Sequence, residues 1–267
     1  MEVVEILGFA GALLIGIVLG LIGGGGSILT VPVLVYLLQI NPVTATAYSL
    51  FIVGISSFVG SVKNIKKRQV DFKTAFIFSG PALIVVYLTR KFLIPNLPEE
   101  LFQIYGFLVT RDIAIMIFFA VVMVLASLSM IRGKCMNCDD EEVEIEYNIP
   151  MLLLQAIVVG IISGFVGAGG GFLIIPALVV LVKLPMKRAV ATSLLIIAVN
   201  SLIGFLGDLQ TTQIDWSFLI AFSMFSIVGI LLGIYLNKYI TGSKLKRSFG
   251  WFVLIMGIYV LINELNR

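Results

Sequence analysis

The sequence predicts an all-α polytopic membrane protein built from two inverted-topology repeats. Each repeat is expected to contain a Gly-broken re-entrant helical hairpin and three transmembrane helices. Three observations lead to this prediction: long uncharged apolar segments, a glycine-rich break that occurs twice at a fixed spacing, and basic residues concentrated on one predicted face of the membrane. Of the 267 residues, 60% are hydrophobic and 12% are charged, whereas soluble domains average about 25% charged residues.

Several apolar segments are long enough to cross a bilayer. Stretches of 18 or more residues with almost no charge are typical of transmembrane helices. The first apolar segment lacks the charged flank and the small-residue cleavage site of a signal peptide, so we expect it to remain in the protein. The clearest of these segments are Ile113–Ile131, Pro150–Val182, Ala189–Gly207 and Phe218–Asn237.

The chain contains an internal duplication with an offset of 144 residues. "GLIGGGGSILTVP" begins at Gly20 and "GFVGAGGGFLIIP" begins at Gly164, and "QVD" at Gln69 corresponds to "QID" at Gln213. Repeated halves are common in secondary transporters. We therefore divide the chain into a first repeat (1–132), an acidic cytoplasmic linker (133–149) and a second repeat (150–267).

Within each repeat, the interrupted apolar segment is followed by three uninterrupted ones. The first hairpin is predicted at 5–39 with its break at 23–26, and the second at 150–183 with its break at 167–171. The spans of the first repeat are placed at about 43–62, 72–89 and 113–131, and those of the second at about 187–206, 216–237 and 245–261. Residues 94–112, which include two prolines, are predicted to form a loop.

The distribution of basic residues favours hairpins over single broken spans. If each broken segment leaves the membrane on the side where it entered, 14 basic residues lie in the cytoplasm and 4 outside. If each broken segment crosses once, the counts become 8 and 10. Cytoplasmic loops of membrane proteins carry an excess of Lys and Arg, so the hairpin arrangement with inverted repeats is preferred.

The two glycine-rich breaks predict a binding site near the middle of the membrane. Non-helical backbone at that depth must be buried in protein or line a polar cavity. We expect a helix to begin after each break, near Ser27 and near Gly171. A helix N-terminus presents unpaired N–H groups and a partial positive charge, which together favour an anion. Close helix packing by small residues is the alternative. The candidate substrate-binding residues of the breaks are Gly23, Gly24, Gly25, Gly26, Ser27, Gly167, Gly169, Gly170 and Gly171.

Polar side chains in the neighbouring spans are expected to complete this site. Asn200 is the strongest candidate because an amide in an apolar span seeks a partner, although an interhelical hydrogen bond would also explain it. We expect no carboxylate deep in a span, and Asp208 near a membrane edge is either part of a gate or solvated. The candidates are Thr46, Ser49, Ser56, Ser57, Thr192, Ser193, Asn200 and Ser201.

Composition argues against several other functions. The chain has no histidine, which removes histidine bases and ligands, so we expect no enzyme activity, no metal site and no cofactor. The net charge of +3 is modest and does not indicate nucleic-acid binding. Cys135 and Cys138 form a CxxC in the linker, which leaves open a thiol role or a merely solvated segment.

The duplicated motif resembles that of the TauE/SafE sulfite exporter family. The resemblance rests on "GLIGGGGSILTVPVL" and "GFVGAGGGFLIIPAL" and on the spans "ATAYSLFIVGISSFVG" and "AVATSLLIIAVNSLIG" that follow them. It implies a multi-pass plasma-membrane transporter of small anions or sulfur compounds of the sulfite, sulfonate or thiosulfate class.

The expected function is therefore transmembrane transport of a small oxyanion by alternating access around the two breaks. A channel-like anion pore, or a membrane protein that handles sulfur with the CxxC thiols, are the alternatives. The expected partners are a small anionic substrate and the lipid bilayer, without nucleic acid. The sequence leaves open the identity of the anion, the direction of transport, the coupling ion and whether copies of the chain form a homo-oligomer.

Overall fold

The fold is that of an all-α polytopic membrane protein. A computed structural model describes residues 3–104, 107–132, 149–167, 169–182, 184–210, 212–237 and 242–265. Within these ranges, six helices are long and apolar enough to cross a membrane. They are Pro42–Lys66, Phe72–Asn96, Arg111–Leu128, Ile149–Val166, Lys187–Asp208 and Trp216–Leu236.

The first repeat begins with helix α1 (Val3–Ile22) and a returning arm made of three short pieces. These are a 3-10 helix (Gly24–Leu29), the single turn α2 (Thr30–Pro32) and a π-helix (Val33–Leu37). Helices α3 (Pro42–Lys66), α4 (Phe72–Leu88) and α5 (Arg111–Arg132) follow, and α4 continues into a π-helix at Thr89–Leu93.

Side chains at Asn41 and Asp71 cap two of these helices. The Val43 amide donates to Oδ1 of Asn41 at 2.9 Å, and the Lys73 amide donates to Oδ1 of Asp71 at 3.0 Å. Each cap satisfies a backbone donor that the first helical turn leaves unpaired. The starts of α3 and α4 are therefore encoded locally.

The second repeat contains five helices in the corresponding order. They are α6 (Ile149–Val166), α7 (Gly171–Leu181), α8 (Met186–Asp208), α9 (Trp216–Leu236) and α10 (Gly242–Leu265). Asp215 caps α9, as Asp71, its equivalent at the 144-residue offset, caps α4.

A two-stranded antiparallel sheet lies between α4 and α5, in the segment expected to be a loop. Strand β1 (Glu100–Ile104) pairs with β2 (Phe107–Thr110). The sequence signal for these strands is two short apolar runs, which the proline-based loop prediction overlooked. The sheet is an insertion between spans, and it leaves the helical fold class unchanged.

The first hairpin doubles back on itself. A Cβ on Gly8 would lie 2.7 Å from the Leu38 side chain, and a Cβ on Gly11 would lie 3.1 Å from that of Val33. Nearer the break, a Cβ on Gly26 would overlap the backbone at Leu19. The contacts run in opposite order along the two arms, so the returning arm is antiparallel to α1.

The two repeats are interlaced through their first helices. Gly16 and Gly20 of α1 pack in register against Gly229 and Gly233 of α9, so these two helices run parallel in direct backbone contact. Small residues permit such close approach of membrane helices.

The equivalent contact, between α6 of the second repeat and α4 of the first, is also parallel. Gly160 of α6 lies against the Val85 side chain, and Gly164 lies against that of Thr89. Each repeat's first helix is therefore bound by the other repeat. In addition, α3 packs on α8 and α5 packs on α10, so each of these contacts joins equivalent helices of the two repeats.

Candidate functional site

The two glycine-rich breaks meet in the interior. A Cβ on Gly24 would overlap the backbone of Gly171, and a Cβ on Gly171 would overlap that of Gly24. The backbones are therefore in direct contact at a point where only glycine fits. The structure thus brings together two segments that lie 147 positions apart in the sequence.

The breaks differ in backbone conformation. In the first, only Gly23 has a positive φ, of 73°, and the chain enters a 3-10 helix that contains Gly24, Gly25 and Gly26. We expected a helix to begin near Ser27, but the 3-10 helix already begins at Gly24. Ser27 donates from its hydroxyl to the Gly24 carbonyl at 2.7 Å, which ties this side chain to the backbone.

The second break is the more strained of the two. Gly167, Gly169 and Gly170 have φ values of 70°, 65° and 67°, a region that residues with a Cβ rarely adopt. Helix α7 then begins at Gly171, as the sequence suggested, and Gly170 provides no side-chain cap. The first-turn N–H groups of α7 thus lack a capping side chain, which is the condition for an anion-binding helix start.

Several predicted polar residues lie against the breaks. A Cβ on Gly169 would overlap the Ser201 hydroxyl, and a Cβ on Gly23 would lie 3.0 Å from that of Ser193. Ser193 donates to the Val190 carbonyl at 2.9 Å. Buried oxygen atoms without a hydrogen-bond partner in the described structure occur at Ser49, Ser57, Asn200 and Ser201.

Two further residues with buried, unpaired hydroxyls were not predicted from the sequence. The hydroxyls of Thr30 and Ser163 are also buried without a partner in the described part of the chain. Ser163 lies against the second break, because a Cβ on Gly170 would be 3.1 Å from its Cβ. Buried polar groups are almost always hydrogen-bonded, so this group of hydroxyls is unusual. The signal available was their position in the segments that flank the breaks, Ser163 before the second break and Thr30 after the first.

Three other predicted residues make structural hydrogen bonds. Ser56 donates to the Ser226 hydroxyl at 2.9 Å, which joins α3 to α9. Thr192 accepts from the Asp71 amide at 3.0 Å. Thr46 donates to the Val43 carbonyl at 2.8 Å and accepts from Arg90 at 3.0 Å. Ser56, the equivalent of Asn200 at the 144-residue offset, thus makes an interhelical hydrogen bond of the kind that we weighed for Asn200.

A buried ion pair lies beside the second break. Nη1 of Arg90 is 3.3 Å from Oδ2 of Asp208, and the Arg90 side chain is fully buried. A Cβ on Gly167 would lie 2.7 Å from Nη2 of Arg90 and 2.5 Å from Cβ of Thr46. We name Arg90, Asp208 and Thr46 the ion-pair cluster.

The burial of two charged residues differs from the sequence expectation. Arg90, like Arg111, was among the four basic residues placed outside the membrane, but it lies inside the protein because α4 continues beyond Leu88 as a π-helix. Asp208 was expected to be part of a gate or solvated, and at 2% exposed it is not solvated; Glu264, near the end of α10, is also fully buried. Tyr36 donates to Glu264 at 2.9 Å. Burial in each case depends on packing between distant segments.

A cavity of about 320 Å³ lies near the first break. One of its lining residues is Val190, whose side chain would lie 3.0 Å from a Cβ on Gly23. Lysine and amide side chains form part of its lining. We name it the basic cavity; its lining is Gly20, Asn64, Lys67, Gln69, Lys187, Val190, Ala191, Ile234 and Asn237.

The basic cavity and the ion-pair cluster occupy equivalent places in the two repeats. At the offset of 144 residues, Asn64 corresponds to Asp208 and Ile234 to Arg90, while Val190 corresponds to Thr46. Each set lies next to the first glycine of its break. One place is an open cavity, and the other is filled by paired charges. Cys135, Cys138 and the rest of the acidic linker through residue 148 lie outside the described residues.

Sequence comparison identifies the family. The family model described as "Sulfite exporter TauE/SafE" matches residues 8–260. The chain belongs to this family. A "Probable membrane transporter protein" of Xylella fastidiosa is 32% identical over 93% of this chain and 91% of its own length. The relative YunE of Bacillus subtilis is 27% identical over 94% and 92%, respectively, and carries the same description.

The TauE/SafE family is a family of membrane transporters rather than an enzyme class, and these relatives match over nearly their whole length. With six membrane-capable helices in its described residues, the chain is a multi-pass protein of the plasma membrane. No solved structure matches the chain.

Proposed function

We propose that this TauE/SafE protein transports a small oxyanion of the sulfite, sulfonate or thiosulfate class. The observation that carries the proposal is the backbone contact between Gly24 and Gly171 inside the protein. Uncapped helix starts attract anions through their N–H groups and partial positive charge. The unpaired hydroxyls of Ser57 and Ser201, which are equivalent in the two repeats, supply further donors.

We further propose that the repeats are inverted and that both broken segments re-enter the membrane. The antiparallel arms of the first hairpin support this topology. The basic cavity also collects Lys67, Lys187 and Asn237, which the inverted topology places together at the cytoplasmic face. A second cavity collects Gly8, Leu38 and Asp215, which the same topology places at the opposite face.

Alternating access around the breaks is the mechanism we propose. The basic cavity includes Val190, which lies against the first break, whereas the ion-pair cluster fills the equivalent place at the second break. A carrier that faces the cytoplasm would have this asymmetry, and an open pore would not. An anion leaving the cytoplasm would run downhill on an inside-negative potential, by about 2.3 kcal/mol per charge per 100 mV.

Flux measurements in proteoliposomes test the proposed function. We expect sulfite flux that saturates with concentration and that is abolished by Gly169→Leu or Gly25→Leu in protein that still inserts. Flux that rises linearly with concentration would favour a pore. Wild-type flux in both glycine variants would contradict a site at the breaks. Unchanged flux in the double variant Cys135→Ser/Cys138→Ser would eliminate the thiol alternative.

Labelling of single cysteines in a cysteine-free background tests the topology. A cysteine at Gln210 should react with a membrane-impermeant maleimide from outside, and one at Lys244 only from the cytoplasm. Both sites reacting in the opposite sense would contradict the inverted repeats.

A further inference from the structure

The least expected feature of the interior is an arginine with three of its five N–H donors unused. Nη1 of Arg90 donates to the Thr46 hydroxyl at 3.0 Å and pairs with Asp208 at 3.3 Å. Nε and Nη2 are buried and have no hydrogen-bond partner among the residues that the structure describes. Buried donors of a charged group rarely remain unpaired because their desolvation is costly.

The two unpaired nitrogens form one edge of the guanidinium plane. That edge presents two parallel N–H donors, the geometry with which arginine binds carboxylates, phosphates and similar oxyanions. Nη2 points toward the second break, because a Cβ on Gly167 would lie 2.7 Å from it. The absence of a side chain at Gly167 therefore leaves this edge facing the glycine-rich turn.

We infer that the Nε–Nη2 edge of Arg90 is an oxyanion subsite at the second break, with Asp208 as its resident counter-ion. This inference rests on the proposed function and adds a charged recognition residue to it. Thr46 and Asp208 hold the guanidinium by Nη1 and orient the opposite edge. The anion binds side-on to that edge with two oxygens when the second side of the protein opens.

The net charge of zero on the Arg90–Asp208 pair explains why the subsite releases its ligand. An isolated buried arginine would bind a divalent oxyanion too tightly for release, whereas the nearby carboxylate of Asp208 offsets part of the attraction. The equivalent place at the first break has Ile234 and Asn64, so the buried guanidinium–carboxylate pair belongs to the second break and not to the first. Selectivity for oxyanions over spherical anions therefore resides at the second break.

Two variants separate recognition from folding. Arg90→Lys keeps the charge and the ion pair but removes the planar two-donor edge. The double variant Arg90→Met/Asp208→Asn removes both charges, so neither partner is left as an uncompensated buried charge, and it is expected to fold. Arg111→Lys, on the same predicted face but away from the breaks, is the matched control.

The experiment measures sulfite flux into proteoliposomes and sulfite binding by calorimetry in detergent, with chloride as a spherical competitor. We expect both Arg90 variants to raise the KM and Kd for sulfite at least about tenfold, the factor given by loss of a charge-assisted hydrogen bond. Chloride competition should change less than threefold, so the preference for the oxyanion falls. Arg111→Lys should behave as wild type.

The outcomes distinguish the two proposals. If the wild type gives saturable sulfite flux and folded Arg90→Met/Asp208→Asn retains the wild-type KM, Kd and preference over chloride, the subsite is disproved and the proposed function stands. If Arg90→Lys alone retains them, the planar edge is not the recognition element and the subsite is equally disproved. If the wild type binds and transports none of sulfite, thiosulfate or methanesulfonate, the proposed function itself fails.

Discussion

The basic cavity and the ion-pair cluster are the same place in two copies of one sequence unit. At the first break, Asn64 of the first repeat and Ile234 of the second line a cavity of about 320 Å³. At the second break, the equivalent positions hold Asp208 and Arg90, which are almost fully buried.

The exchange of an amide and an aliphatic side chain for an ion pair therefore accompanies the difference between a cavity and a filled interior. Under the proposed alternating-access mechanism, this difference would give transport a direction and would place the charged subsite at the second break.

The largest effect is expected at the point that the two breaks share. Gly24→Val places a side chain in the backbone of Gly171, and overpacking of this kind costs about 1–3 kcal/mol even where the surroundings can adjust. We expect complete loss of sulfite flux and a lower melting temperature. Gly80→Ala is the control, since no heavy atom lies within 4 Å of its Cβ position. Wild-type flux in Gly24→Val would mean that the breaks need not touch.

Introducing an equivalent ion pair into the basic cavity should close that cavity. The double variant Asn64→Asp/Ile234→Arg reproduces the ion-pair cluster in the basic cavity. We expect sulfite flux to fall at least about tenfold, since an anion must enter through the space that the pair fills. Ile234→Met, which adds no charge, should transport normally. Undiminished flux in the double variant would show that this cavity is not the entrance.

The lysines of the basic cavity are expected to have a smaller, salt-dependent effect. Charged clefts raise the local concentration of an oppositely charged solute by about tenfold or more at low ionic strength. Lys67→Gln/Lys187→Gln should therefore raise the KM for sulfite several-fold and make it less sensitive to salt. Lys66→Gln/Arg188→Gln, whose residues do not line the cavity, is the control. An equal change in both variants would indicate a general surface-charge effect.

The smallest effect distinguishes two equivalent polar residues, Ser56 and Asn200. Ser56 is engaged with Ser226, whereas Oδ1 of Asn200 has no partner in the described structure. Ser56→Ala should lower the free energy of unfolding by about 1 kcal/mol with little change in flux. Asn200→Ala should reduce flux with little change in stability. The reverse assignment would place Ser56 rather than Asn200 at the site.

The fold class could be predicted because its signals are local. Apolar length identifies spans, as at Trp216–Leu236, and a run of glycines identifies a break wherever it lies. The placement of Ser201 and Ser193 against the breaks also followed from their sequence neighbourhood. In these cases a few adjacent residues carry the whole signal.

The ion-pair cluster could not be predicted for the opposite reason. Arg90 and Asp208 are 118 positions apart, and each looks like an ordinary residue at the end of a span. Their burial depends on α4 continuing as a π-helix and on its packing against α8. Thr192 and Ser56 were similarly ambiguous, because the sequence does not distinguish a hydroxyl that holds helices together from one that binds a ligand.

The parallel contact between α1 and α9 also has a consequence for biosynthesis. Gly16 and its partner Gly229 are separated by 213 positions, so the first helix emerges from the ribosome long before its docking surface exists. At about 5–20 residues per second, that interval lasts roughly 10–40 seconds. During this time the glycine face of the nascent helix has only lipid or the insertion machinery as a neighbour. Truncated chains that end just before residue 216 should therefore be recognised by quality-control proteases, although about four-fifths of the 267 residues have already been made.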